Sequence, residues 1–307
     1  MITYLTHKEI DKAKWDACIR QSENAIVYAY SWYLDIVSPG WSALVEDNYT
    51  TVFPLTQRKK FGFTYLFQPS FTQQLGLFTS QKIKQEYLEN FLNVIPTEFR
   101  LIEIQLNTAN LLDLKNKQFE VFPKLTHHLN LNQSKEELYK GFSENLKRNI
   151  RKAEKSGIAI SREITPDTII SLFQSTRGKE FASMKEGDYQ ILRDICSTAA
   201  KKQSVELIGA QSPDAKFIAG AVFLHTDSGY IFLFSGTSQH ARETGAMSAV
   251  IQHFIESHAE EKKILDFEGS MDPNLARFYK SFGSKEVVYL QIRKNTLPAL
   301  IRWIKNK

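Results

Sequence analysis

Along residues 134–160, SKEELYKGFSENLKRNIRKAEKSGIAI, the apolar positions Leu138, Phe142, Leu146, Ile150 and Ala153 recur at intervals of four and three. At about 100° per residue they share one stripe, which predicts a single amphipathic helix over 134–156. Ser134 with Glu137 has the capping-box spacing, and Gly157 supplies the left-handed residue that ends the helix. Lys147, Arg148, Arg151, Lys152 and Lys155 fall opposite the apolar stripe as one basic face. Two readings of that face stay open: a solvated surface, or a grip on phosphate.

The same patterning, carried along the chain, predicts an order of elements that comes round twice. The first half reads as a strand near 2–5, helices near 9–19 and 31–37, the strand runs WSALVED, TTVFPLTQRKK and FTYLFQ, a helix over 81–94 and a strand over 100–106. The second half opens on GIAISREI, continues with helices over 167–179 and 188–202 and the strand runs SVELIGA, KFIAGAVFLH and GYIFLFSGT, then a helix over 244–259. It closes with strand KILDFEG, a helix over 273–282 and strand EVVYLQI. Each half is strand, two helices, three antiparallel strands, helix, strand. This predicts two domains of mixed α/β class, 1–130 and 131–307, with the basic helix at the join.

Composition agrees with two cores, since 307 residues exceed the roughly 100 to 200 of one ordinary domain. A net charge of +5 favours anionic ligands without amounting to a nucleic-acid coat. Cys18 and Cys196 stand far apart, with no Cys-x-x-Cys and no clustered histidines, so neither a disulfide framework nor a metal site is indicated. The opening MITYLTHKEIDKAKW lacks the apolar core of a signal peptide, and no apolar run approaches the ~18 residues of a membrane span. A cytoplasmic location is therefore expected.

Three stretches carry a family resemblance: SENLKRNIRKAEKSGI, FPLTQRKKFGFTYLFQPSFTQQLGLF and LDFEGSMDPNLARFYKSFGSKEV. With the element order they make the chain resemble the GNAT acyltransferases, and more closely the FemABX-type and related double-GNAT proteins. The resemblance implies a tandem GNAT-like fold, that of the acyl-CoA N-acyltransferases, with α/β (α+β mixed sheet) domains. In NLARFYKSFGS, Tyr279 keeps the spacing to Gly283 of the GNAT motif Tyr-x-x-x-Gly-Phe, although Ser284 replaces the Phe. The resemblance makes Tyr279 the general acid for a departing thiolate, a role open to a phenol protonated at neutral pH. Leu275, Phe278, Tyr279 and Phe282 also make an apolar face, which leaves a core role open.

Asp266 and Glu268 are two apart in ILDFEGS and, on a strand, would share a face. Either carboxylate could act as the base that takes a proton from an attacking amine, or simply mark a strand end in water. Ser235 and Thr237 close the strand that GNAT folds splay open for the pantetheine arm, and either hydroxyl could instead cap a turn. RETGAM keeps Arg242 and Gly245 of the pyrophosphate loop, with Met247 where a small residue is usual. The long helical arm of some FemABX members has no counterpart here.

The resemblance also places the basic helix near the groove between the domains, where Arg148, Arg151 and Lys152 would meet phosphates of a nucleotide-linked sugar, a tRNA or coenzyme A. DNA reading is not indicated, because the helix lacks a helix-turn-helix companion and interleaved aromatics. The expected activity is transfer of an acyl group from acyl-CoA, as donor substrate and without a metal, to an amino group of a sugar or cell-envelope precursor. Two alternatives stay open: a FemABX-like aminoacyltransferase using charged tRNA, and a catalytically silent GNAT-like module that binds an anion or a partner.

Overall fold

The computed structural model describes residues 1–60, 62–176, 184–268 and 271–298; the expected helix over 167–179 lies, beyond Thr176, outside them. The chain forms two compact units, Met1–Leu125 with Val287–Lys307, and Thr126–Glu286. Up to the first crossing the elements are β1 (Ile2–Leu5), α1 (Lys12–Gln21), α2 (Ser31–Val37), β2 (Ser42–Glu46), β3 (Thr51–Leu55), β4 (Gln57–Lys60), β5 (Phe63–Leu66), β6 (Phe78–Thr79), α3 (Gln85–Asn93), β7 (Leu101–Leu106) and β8 (Glu120–Asn130). There follow α4 (Lys135–Gly141), α5 (Glu144–Lys155), β9 (Ala159–Ser161), α6 (Pro166–Ser175), α7 (Glu186–Lys201), β10 (Val205–Gln211), β11 (Phe217–His225) and β12 (Gly229–Thr237). The chain ends with α8 (Gln239–Thr244), α9 (Ala246–Ser257), β13 (Ile264–Asp266), α10 (Pro273–Lys280) and β14 (Lys285–Asn295). Strand, two helices, antiparallel strands, helix and strand occur in order in each unit.

In the first unit β1-β2-β3-β6 form an antiparallel sheet, and β4, β5, β7 and β14 lie side by side in a second. The run TTVFPLTQRKK, expected as one strand, divides at Thr56 between them. Thr56 Oγ1 donates to the Phe67 carbonyl at 2.6 Å, and the Phe67 N–H returns a bond to the Thr56 carbonyl at 3.1 Å. β14 pairs antiparallel with β7, and its Leu290 and Ile292 enter the core of Phe53, Phe91 and Ile104. That burial is why the last strand, expected in the second domain, joins the first unit.

The second unit orders its strands β8-β13-β12-β11-β10-β9. β10, β11 and β12 are an antiparallel meander, while β12 and β13 run parallel, as a strand pair joined through a helical crossover must. Side chains alternate along β11: Ala219, Ala221 and Phe223 join the core that α5 and α9 cover, while Gly220 lies against Ile169 of α6. Among the described residues no helix is long and apolar enough to cross a membrane. Cys18 and Cys196 are separate buried thiols.

The expected helix over 134–156 is two. The capping box at Ser134 forms with both its bonds, but α4 stops at Gly141 and α5 restarts behind Ser143, whose hydroxyl accepts the Leu146 N–H. The break is held from outside: the Ser143 N–H donates to the Ser281 carbonyl at 2.8 Å, just beyond the end of α10. The apolar stripe hid this, because Phe142 stays buried through the bend.

At the start of β12, Tyr230, Glu206, His258 and Glu261 form a charged network. His258 Nε2 is 2.8 Å from Glu206 Oε1 and Nδ1 is 2.8 Å from Glu261 Oε1. Burial alone would lower the His258 pKa, but the two carboxylates outweigh it and raise it. A histidine whose folded pKa lies above its unfolded value stabilises fully below about pH 6.5, and that stabilisation is lost as pH rises through the folded value. His258→Gln is therefore expected to cost about 1 to 3 kcal/mol in denaturant unfolding at pH 6. The difference from wild type should shrink at pH 9.

Candidate active site

A cavity of about 600 Å³ opens in the second unit where β12 and β13 part. Their parallel pairing runs from Gly229 with Ile264 to Ile231 with Asp266 and then ends. Beyond it, no strand among the described residues pairs with residues 232–237 on that side. Pairing with β11 on the other side continues, with a bulge that leaves Leu233 without a partner between Phe232 and Phe234. A bulge interrupts the in–out alternation, and here Phe232, Leu233, Phe234 and Ser235 all reach the cavity.

Glycine lets the walls close in. A Cβ at Gly236 would stand 2.2 Å from the Ile169 carbonyl oxygen, so α6 packs backbone against backbone and brings Phe173 and Thr176 to the cavity. Thr176 Oγ1 locks the contact by donating to the Thr237 carbonyl at 2.8 Å. Gly245 has φ +79° and ends α8, so the helix expected over 244–259 is preceded by a short turn of its own. A Cβ there would meet the Asn149 carbonyl oxygen of α5 at 2.5 Å. Gly245 thus serves a left-handed turn and a close helix approach together.

Most of the site residues expected from sequence converge here. Tyr279, Glu268, Ser235, Thr237, Arg242 and Gly245 all line the cavity, together with Asn149 and Met247. Tyr279 is 8% exposed and stacks on Phe267 at 5.2 Å between ring centroids, so it has the core packing and the cavity position at once. Exposed Arg242 and the start of α9 face the same space, and together they offer an anion a guanidinium and a helix N-terminus.

Glu268 and Asp266 do not share a face. The strand ends at Asp266, and Glu268 takes φ +60°, a left-handed conformation uncommon for a residue with a side chain. Glu268 Oε1 is buried and without a hydrogen-bond partner among the described residues, and burial pushes the carboxyl up to about 8. Asp266 instead faces β8, where it accepts a bond from Thr126 and lies 3.2 Å from His128 Nε2.

Arg148, Arg151 and Lys152 are not among the cavity lining. They stand exposed on α5, with Arg148 bonded to Asn145 at 3.2 Å and Arg151 to the Lys147 carbonyl at 3.2 Å. Asn149, which sequence reading passed over between two cations, is the α5 residue that reaches in. β8 was missed as well: Pro123 interrupts its pattern, and its buried His127 sits 5.8 Å from the Tyr279 ring. Burial lowers the His127 pKa, which keeps the imidazole neutral at pH 7. Among the described residues no cluster of three or more His, Cys, Asp or Glu side chains could hold a metal.

Residues 140–273 match the family model described as Acetyltransferase (GNAT) domain. No curated protein sequence matches the chain. Among solved structures the chain is similar to FemX, with 14% identity, 96% of this chain and 98% of the other covered, and a TM-score of 0.65. It is also similar to a tandem GNAT protein from the clavulanic acid biosynthesis pathway, with 9% identity, 97% and 100% covered, and a TM-score of 0.56. The C-terminal domain of a putative lysylphosphatidylglycerol synthetase from Agrobacterium fabrum aligns with 10% identity, 94% and 92% covered, and a TM-score of 0.54. The parted strands and the turn at Gly245 thus lie in the stretch that matches the Acetyltransferase (GNAT) domain, with the tyrosine of α10 just beyond it, within a chain that has the tandem GNAT fold.

Proposed function

We propose that the protein is an N-acyltransferase that moves an acyl group from coenzyme A to an amine, with an amino sugar or cell-envelope precursor as the acceptor class. The observation that carries this reading is the stretch of β12 inside the cavity, beyond the end of its pairing with β13 at Ile231. An extended donor arm bearing amides can add to such a stretch as a strand would, exchanging N–H and C=O bonds with the backbone of residues 232–237. Arg242 and the first turn of α9 then receive the donor's phosphates.

The chemistry follows from two side chains that line this space, Glu268 and Tyr279. The Glu268 carboxylate removes a proton from the acceptor ammonium or from the attacking amine. The amine nitrogen bonds to the thioester carbonyl carbon, the carbon–sulfur bond breaks, and the departing sulfur takes the hydroxyl proton of Tyr279. Because the base acts deprotonated and burial holds it near 8, kcat/KM should rise with pH and reach half its plateau near pH 8. A pH profile flat between 6 and 9 would contradict the role of Glu268.

Donor binding is testable without knowing the acceptor. Acetyl-coenzyme A at 100 times its dissociation constant should add about 2.7 kcal/mol to apparent stability in a thermal-shift measurement. Arg242→Ala should weaken that binding by about 1 to 3 kcal/mol by calorimetry. Unchanged affinity would remove Arg242 from the donor site.

A second donor is favoured by one observation. Among the described residues Arg148, Arg151, Lys152 and Lys155 form no ion pair, and they flank Asn149, which lines the cavity. A charged tRNA would use this whole face, whereas a small phosphate would use two neighbours, because Arg148 and Lys155 are about 10 Å apart along the axis. For tRNA each alanine substitution costs a little and affinity falls steeply with salt. For coenzyme A one or two positions dominate and the salt dependence is shallow.

A further inference from the structure

The turn that presents Glu268 is built by a residue that stays out of the cavity. Asp266 Oδ1 accepts the hydroxyl of Thr126 and, at 2.8 Å, the backbone N–H of Glu268 two residues on. Its Oδ2 lies 3.2 Å from His128 Nε2. Thr126 and His128 come from β8, which pairs with β13 in a register that sets Asp266 opposite His128. Asp266 is itself buried, a position where a carboxylate persists only with donors around it.

We infer that Asp266 is a positioning residue for acyl transfer: anchored by Thr126 and His128 of β8, its carboxylate holds the Glu268 N–H and thereby keeps the Glu268 side chain turned into the cavity. The inference rests on Glu268 being the base of the proposed reaction. Its geometry is that of an aspartate closing a turn on the N–H two residues ahead. Had β13 simply continued, residues 266 and 268 would point the same way, toward β8. The left-handed φ of +60° at Glu268 interrupts that alternation, and the bond from its own N–H to Asp266 fixes it there. A conformation uncommon for a side-chain-bearing residue persists where its surroundings determine it, and here the contacts of one buried carboxylate with Thr126, His128 and the Glu268 N–H do so.

Other groups near Glu268 do not account for this pose. Arg242 of α8 and Tyr279 of α10 share the cavity with it, and His127 of β8 lies 5.8 Å from the Tyr279 ring. Glu268 Oε1 bonds to none of them. Among the described residues the bond from the Glu268 N–H to Asp266 is thus a polar contact that holds the turn, and burial follows from the orientation.

The test reads the Glu268 carboxyl directly, by carbon NMR of protein labelled at glutamate carboxyls, with Glu268→Gln to assign the signal. In wild type this carboxyl should titrate well above the other glutamates. In Asp266→Ala the turn is released, and the titration should fall toward the ordinary glutamate range. The acid limb of kcat/KM should move with it, and kcat should drop about 10- to 100-fold with the acceptor KM little changed. Asp266→Asn keeps an acceptor oxygen for the Glu268 N–H and should restore both the high titration and most of kcat.

If Asp266→Ala leaves the Glu268 titration where it was, or if Asp266→Asn behaves like alanine, the positioning role is wrong. Should Asp266→Ala fail to fold, Thr126→Val combined with His128→Gln loosens the same carboxylate from β8. That variant must also lower the Glu268 titration, and an unchanged titration overturns the inference. The proposed reaction fails separately: full turnover in Glu268→Gln would remove the base, while the titration would still decide what Asp266 does.

Discussion

Glu268→Gln is expected to lower turnover by about 10²- to 10⁴-fold while making the protein more stable at alkaline pH. The loss follows from removing the base, since glutamine cannot take the amine proton. The gain follows from linkage. The folded pKa of about 8 lies above the ordinary value of 4.5, so the folded state binds the proton more tightly than the unfolded state does. A neutral Glu268 costs nothing below about pH 4.5; the penalty grows as pH rises and is complete once pH has passed the folded value. Replacement by glutamine avoids this cost, and denaturant unfolding at pH 9 should show about 2 to 4 kcal/mol of added stability. The residue as a whole is half-buried, which keeps the figure below that of a fully enclosed charge. Loss of turnover with no gain at pH 9 would mean that Glu268 is not held in the buried pose. Full turnover would remove it from the chemistry.

Tyr279→Phe is expected to lower turnover by a similar ~10²- to 10⁴-fold, with stability nearly unchanged. The ring packs on Phe267 and near Phe232, and phenylalanine keeps both contacts while deleting the hydroxyl. The leaving group provides the check. If the hydroxyl protonates the departing sulfur, the defect should shrink with thioesters of more acidic thiols, which depart well without a proton. Retained turnover would leave Tyr279 a packing residue, and a defect independent of the leaving thiol would give its hydroxyl a role other than protonating the sulfur. A catalytically silent module would show no turnover for either substitution to remove.

Local rules made much of the second unit legible. The capping box at Ser134 and Glu137, the left-handed Gly157 and the Asp272–Pro273 start of α10 are all properties of a few adjacent residues, and each forms. The cavity residues Tyr279, Arg242, Gly245, Ser235 and Thr237 could be placed because turns and strand ends fix their positions along the chain. What escaped depends on distant partners. Thr56 divides one apolar run between two sheets through its bonds to Phe67, and Ser143 breaks a helix through Ser281. Asp266 and Glu268 looked equivalent, because strand alternation says nothing of where a strand stops. The bonds from Thr126 and to Glu268 separate them, and Thr126 lies 140 residues away in a strand that Pro123 disguised.

An acyl donor is expected to lie along β12 beyond the end of its pairing with β13. Hydrogen exchange with and without saturating acetyl-coenzyme A measures this most directly, because the amides of this stretch are those the donor arm would cover. Slowed exchange concentrated in residues 232–237 and at the start of α9, and weakened by Arg242→Ala, is the predicted result. Binding that protects other segments and leaves residues 232–237 exchanging as before would contradict it.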